Sequence, residues 1–163
     1  MKFVVLGIVL FFAVHSVPMV PQLRAALIAR LGENGWKGVH TLFAVAGLVL
    51  MVWGVGEARY EGGTLWWERP KGMRHAVLLV LLPVFPLLAA SSLPGWISAR
   101  TVHPMLTGVI LWAVGHLLYV GFSAAVVIFV AFAVWGIADR VSLAFRKPGP
   151  AVIPPFGRND VAA

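Results

Sequence analysis

Cysteine is absent from the 163 residues, which excludes disulfides, iron–sulfur ligation by thiolates and thiol catalysis. Charge is scarce as well. Only 12% of the residues are Asp, Glu, Lys or Arg, against about 25% in an ordinary soluble domain. The sequence has no internal repeat, no catalytic Ser–His–Asp set, no zinc motif and no phosphate-binding glycine loop. Its acidic residues number 6; Glu57 and Glu61, with Glu68 nearby, read as solvated loop acids rather than a metal site.

Apolar side chains fill the space those groups leave. They make up 60% of the chain, and the mean hydropathy is +0.90. Burying that much apolar surface away from water would need a longer chain, whereas a bilayer solvates it directly. Gly 17, Pro 11 and Trp 7 agree, because membrane helices tolerate Gly and Pro and Trp favours the interfaces. The fold class that follows is all-α: a polytopic membrane protein with a bundle of about five transmembrane helices. Its first partner is the lipid bilayer. The formal charge of +7 resembles a nucleic-acid signal, but Lys and Arg flank the apolar spans as topology signals and no basic stripe stands clear of them. Nucleic acid is therefore not expected as a partner.

The apolar runs place spans at about 3–20, 38–56, 75–93, 103–120 and 122–138, within one helical domain over 1–139. The first is read as retained rather than cleaved, since no A-x-A site follows it. Between the first two spans, Leu23, Leu27 and Leu31 recur every fourth residue with Arg24 and Arg30 toward the other side. This is the pattern of a short interfacial helix ending near Gly32 or Gly35. The loop 57–72 carries Tyr60, Trp66 and Trp67, suited to a headgroup-level aromatic belt. Pro83 and Pro86 should kink the third span. The run 103–137 exceeds one crossing at about 20 residues and must turn, with Gly121 the preferred point. Residues 140–163 read as a polar, proline-rich and extended tail, with Pro148, Pro150, Pro154 and Pro155. Lys2, Arg59, Arg69, Lys71 and Arg74 share one side, and the remaining eight of the 13 basic residues the other. The positive-inside rule then puts the C-terminus in the cytoplasm.

Ionisable residues inside membrane spans mark functional candidates. Here they are histidines: His15, His40, His75, His103 and His116, the full complement of 5. A neutral imidazole tolerates lipid and still offers a nitrogen to a metal. Helix packing is the bland reading for any one of them, and His40 and His103 sit at span mouths. Five among so few polar residues nevertheless point to at least one metal or cofactor ligand. A rise of about 1.5 Å per residue puts His116 roughly 20 Å beyond His103, so one helix cannot bring both to a single iron. His15 and His116 approach the middle from opposite sides with about 10 Å between their depths, a gap two imidazoles on opposite faces of a haem would bridge. His75 with His116 is the competing pair, and spacing does not rank the two. Arg24, Arg74 and Arg100 at the membrane edges are candidates to pair with haem propionates. Gly108 and Gly115 on one face of their span suit close helix packing.

The stretch RTVHPMLTGVILWAVGHLL from Arg100, with HPM, a Trp and HLL in that order, resembles the signature of the NnrU family. LRAALIARLGENGWKG, GLVLMVWG, RHAVLLVLLPVFPLLAA and WGIADRVSL agree in sequence order, so the resemblance covers about residues 5–145. It implies a polytopic bacterial inner-membrane protein associated with denitrification and nitrogen-oxide metabolism. The family is similar in turn to 15-cis-zeta-carotene isomerase, a haem b membrane enzyme with histidine-ligated iron acting on a polyene. What the resemblance implies for this chain is haem b, an apolar isoprenoid or polyene substrate, and His15, His75, His103 and His116 as cofactor-binding residues. His40 is left out, its counterpart usually being aromatic. One departure stands out: after HLL the family commonly reads Ala-Asn-Gly-Asp, where this chain has Tyr119, Val120, Gly121 and Phe122. Two further readings remain. HPM–G–LW–G is distantly similar to membrane methyltransferases that use S-adenosylmethionine, although the tail lacks their downstream element. A non-enzymatic assembly or transport component would use the histidines only for packing or proton relay.

Overall fold

The computed structural model describes residues 1–93, 95–101, 103–146 and 155–162. Among them every regular element is helical: α1 (Lys2–Ser16), α2 (Pro21–Tyr60), α3 (Met73–Leu81), α4 (Val84–Ala90), α5 (Trp96–Thr101), α6 (Pro104–Tyr119), α7 (Ser123–Arg146) and α8 (Arg158–Val161). Four stretches are long and apolar enough to cross a bilayer, namely Lys2–Met19, Pro21–Tyr60, Met73–Ala90 and Ser123–Phe145. Helix α6 has 16 residues, about 24 Å at ~1.5 Å per residue, somewhat less than the ~30 Å hydrocarbon core. Large apolar side chains face outward along these helices, with Val52 67%, Leu82 74% and Phe85 78% exposed. Exposure on that scale suits lipid and not water. The protein is an all-helical integral membrane protein.

The breaks in the helices have local causes. At Gly32 φ is 71° and ψ 166°, a region essentially reserved for glycine. The amphipathic stretch Pro21–Leu31 thus ends at a joint, and the helix restarts with Glu33 paired to Lys37 at 2.9 Å. Pro83 separates α3 from α4, having no N–H to continue the ladder. Pro86 falls in the first turn of α4, where no donor is needed. After Tyr119, Val120 is extended and Gly121 precedes the start of α7. A Cβ at Gly121 would overlap the carbonyl of Trp67, whose neighbour Trp66 donates its N–H to the Gly121 carbonyl at 2.8 Å. Close backbone approach decides the residue at this turn.

The chain divides into two compact units. In the first, Met1–Leu65 with Phe122–Ile128, α1 and α2 run antiparallel on a glycine seam. A Cβ on Gly7 would lie 2.6 Å from the Gly47 carbonyl oxygen, and one on Gly54 would lie 2.6 Å from the Val4 nitrogen. Such contacts let two backbones approach as they do in small-residue membrane interfaces. Val4, Ala58 and Ala124 form the buried core of this unit, with Phe122 and Val127 against it.

The second unit, Trp66–Gly121 with Phe129–Ala163, packs α3 and α4 against α6. Gly108 faces the Leu87 side chain and the Val84 carbonyl at 3.4 Å, and Gly115 faces Leu81, the close packing expected of that glycine face. Helix α7 continues to Arg146, beyond the expected end of the last span, since a helix satisfies its backbone internally in water as in lipid. The expectation of extended chain at Pro148, Pro150 and Pro154 lies outside the described residues. At 155–162 the chain folds back. The buried Asp160 carboxylate accepts the Ile97 N–H at 2.8 Å and the Gly157 N–H at 2.9 Å. The Phe156 ring meets Trp96 edge-on at 6.2 Å.

Candidate functional site

His116 stands near the end of α6, and its Nδ1 donates to the Trp112 carbonyl at 2.7 Å. A carbonyl only accepts, so the proton of the neutral ring is on Nδ1 and Nε2 carries the lone pair. Ligating histidines are commonly oriented in this way, by a backbone carbonyl holding the other ring nitrogen. Phe129 stacks on the imidazole at 4.6 Å, and Trp112 lies tilted at 4.9 Å. Trp112 meets Phe129 and Phe132 edge-on in turn. The ring is therefore held by one hydrogen bond and two aromatic walls.

A partly open cavity of about 270 Å³ lies beside it, lined by Arg74, Val77, Leu78, Leu81, Gly115, His116 and Tyr119. Its α3 wall comes from residues spaced three and four apart, which is one face of a helix. Gly115 leaves room where a Cβ would meet Leu81 Cδ2 at 2.6 Å. The Arg69 guanidinium lies 4.2 Å from the centre of the ring of Tyr119, one of the lining residues. The site is apolar within and cationic at its edge.

His15, in the first unit, repeats the motif of His116. Its Nδ1 donates to the Phe11 carbonyl at 2.8 Å, and the two rings stack at 4.0 Å. The His40 ring lies 4.7 Å from it, tilted by 59°, with Trp36 edge-on to His40 at 5.7 Å. His15 and His116 belong to different units. His75, exposed at the start of α3, is absent from the cavity lining although its neighbour Arg74 is present. His103 precedes α6, and its ring makes no capping bond to that helix. Its carbonyl accepts from the Thr107 backbone and hydroxyl, each at 3.2 Å. Among the described residues no group of three or more His, Asp or Glu is gathered to hold a metal ion. Of the arginines, Arg74 is at the cavity, while Arg100 lies over the Trp96 ring at 5.3 Å.

Sequence reasoning set His40 aside, and the structure places it against His15. The signal was available: both residues fall near the same membrane face by rise arithmetic. Tyr119 and Arg69 also escaped notice, because their pairing joins a loop to a helix end far along the chain.

A family model described as NnrU protein matches residues 3–160. The chain belongs to the NnrU family. No curated protein and no solved structure matches it. For an NnrU protein of this sequence, the HPM–Trp–HLL signature lies around α6, whose last turns carry His116. Val120 is the extended residue ending α6, and Phe122 packs into the core of the first unit.

Proposed function

We propose that this NnrU protein binds haem b in the membrane, where His116 would hold the iron. The observation that carries the reading is the His116 ring itself. Its Nδ1–H is fixed on the Trp112 carbonyl, its lone pair is on Nε2, and it stands on an apolar cavity edged by Arg74. These residues fit haem b chemically. Val77, Leu78 and Leu81 suit a porphyrin face, a neutral imidazole suits iron, and a guanidinium suits a propionate. At about 270 Å³, the cavity lies near the lower bound of ligand pockets at roughly 300 Å³, so it would hold part of such a group rather than enclose it. Bound haem supplies a redox-active iron. The chain's own part is to orient the His116 ring, present an apolar wall and neutralise an acidic edge.

The same apolar walls suit a polyene or isoprenoid substrate, which makes isomerisation of an apolar double bond the enzymatic form of this reading. Handling of nitrogen oxides is the form that the sequence resemblance implies. His75, in the same unit as His116, would be the candidate for a second ligand. The location we assign is a bacterial inner membrane with the C-terminus in the cytoplasm, following the count of Lys and Arg by side.

The test is the absorption spectrum of detergent-purified protein produced with ample haem. A Soret band is expected, and His116→Ala should abolish it or convert it to a weakly ligated form. Absence of the band from the wild-type protein overturns the proposal. Loss of a six-coordinate spectrum in His75→Ala would identify His75 as the second ligand.

A further inference from the structure

Two arginines from a short stretch of chain are associated with residues of the His116 cavity, Arg74 as a lining residue and Arg69 through its contact with the lining residue Tyr119. The Arg69 guanidinium stands 4.2 Å from that ring centre. Neither arginine is in an ion pair among the described residues, and the neighbouring Glu68 pairs with neither. Two uncompensated cations beside apolar walls of Val77, Leu78 and Leu81 select an amphiphile with an apolar body and an acidic edge. Arginine suits a carboxylate better than lysine does, since its planar fork donates two parallel hydrogen bonds. Stacking on Tyr119 removes part of the freedom Arg69 would otherwise lose on binding.

We infer that Arg69 and Arg74 form a carboxylate clamp that receives the two propionates of the cofactor and sets which edge of the macrocycle faces the loop side of the cavity. The inference rests on the haem reading above and adds residues and an orientation to it. It also distinguishes among the arginines. Arg100, held over Trp96, takes no part. Phospholipid headgroups are the other anions an arginine pair at a membrane edge can meet, and the experiment separates the two sources.

The probes are haem b and its dimethyl ester, in which the propionates carry no charge. They are titrated into full-length apoprotein in non-ionic detergent and followed by the Soret band. An exposed arginine–carboxylate pair contributes up to about fivefold in affinity, so the wild-type protein should prefer haem over the ester by up to roughly 25-fold. Arg69→Gln with Arg74→Gln should bind both probes equally, with an unchanged Soret maximum because His116 remains. Arg74→Lys should keep part of the preference, and Arg100→Gln all of it. An undiminished preference in the double variant overturns the clamp while leaving haem binding intact. Loss of the wild-type preference on adding phosphatidylglycerol also overturns it, assigning the pair to lipid. Failure of the wild-type protein to bind either probe removes the haem reading itself, and the clamp with it.

Discussion

Alanine at Gly47 tests the seam between α1 and α2 more sharply than any other change. Its Cβ would stand 2.8 Å from the Gly7 carbonyl oxygen, 2.8 Å from the Phe11 nitrogen and 2.9 Å from the Phe11 Cβ. Ordinary contact begins near 3.4 Å. The first two atoms are backbone of the facing helix, so no side-chain rotation relieves them. The helices must part by about 0.6 Å, and a gap of 0.5–1 Å forfeits roughly a quarter to a half of each dispersion contact along it. Val4 and Met51, among the most deeply buried side chains at 0% and 1% exposed, sit on this seam and lose most. Overpacking of this kind costs about 1–3 kcal/mol, while alanine regains about 0.5–1 kcal/mol of helix propensity. The net expectation is a destabilisation of about 1–2 kcal/mol. Gly38→Ala and Gly56→Ala are the controls, because no atom lies within 4 Å of a Cβ at either position. Each should be neutral or stabilising by up to about 1 kcal/mol. The assay is reversible unfolding in mixed micelles with rising SDS, read by circular dichroism. A Gly47→Ala protein as stable as the Gly38→Ala control would refute the argument that backbone contact sets this interface.

Two further outcomes follow from the backbone joint and the tail. Gly32→Ala forces a side chain into φ 71° and ψ 166° and should cost about 1–3 kcal/mol; stability equal to that of Gly38→Ala in the same assay would contradict it. The Asp160 carboxyl is held below its ordinary value, first by the Ile97 N–H and then by the Gly157 and Trp96 N–H groups outweighing burial. A depressed carboxylate pKa contributes stability that is present above the unfolded value, 3.8, and lost as pH falls through the folded one. Tail docking should therefore persist unchanged from neutral pH to about pH 4 and fail only below it. Asp160→Ala should release the tail at neutral pH, seen as faster trypsin cleavage at Arg158. Equal cleavage rates in the two proteins would remove Asp160 from that role.

The helical architecture was legible because its causes are local. Apolar runs, the four-residue recurrence of Leu23, Leu27 and Leu31, and the break at Gly32 each depend on a few adjacent residues. The same holds for Pro83, whose missing N–H ends α3 wherever the helix packs. Gly121 was chosen as a turn from run length alone; the reason it is glycine, the Trp67 carbonyl against its Cα, belongs to a loop far back in the sequence. The site was legible only in part. His116 stood out as an imidazole within a span, but its tautomer needed the Trp112 carbonyl and its cavity needed the face of α3.

By itself, the sequence of this NnrU protein determined that it is a helical membrane protein and where its apolar runs and the glycine and proline breaks between them fall. Hydropathy and backbone preference act over one to five turns, and sequence order carries them whole. Only the tertiary structure decided which glycines seam α1 to α2, that His40 lies on His15, that Arg69 reaches Tyr119, and that Asp160 binds the Ile97 N–H. Those outcomes depend on which faces meet across dozens of residues, and in a bilayer the hydrophobic effect does not choose among apolar faces. Close packing and the satisfaction of a few polar groups do.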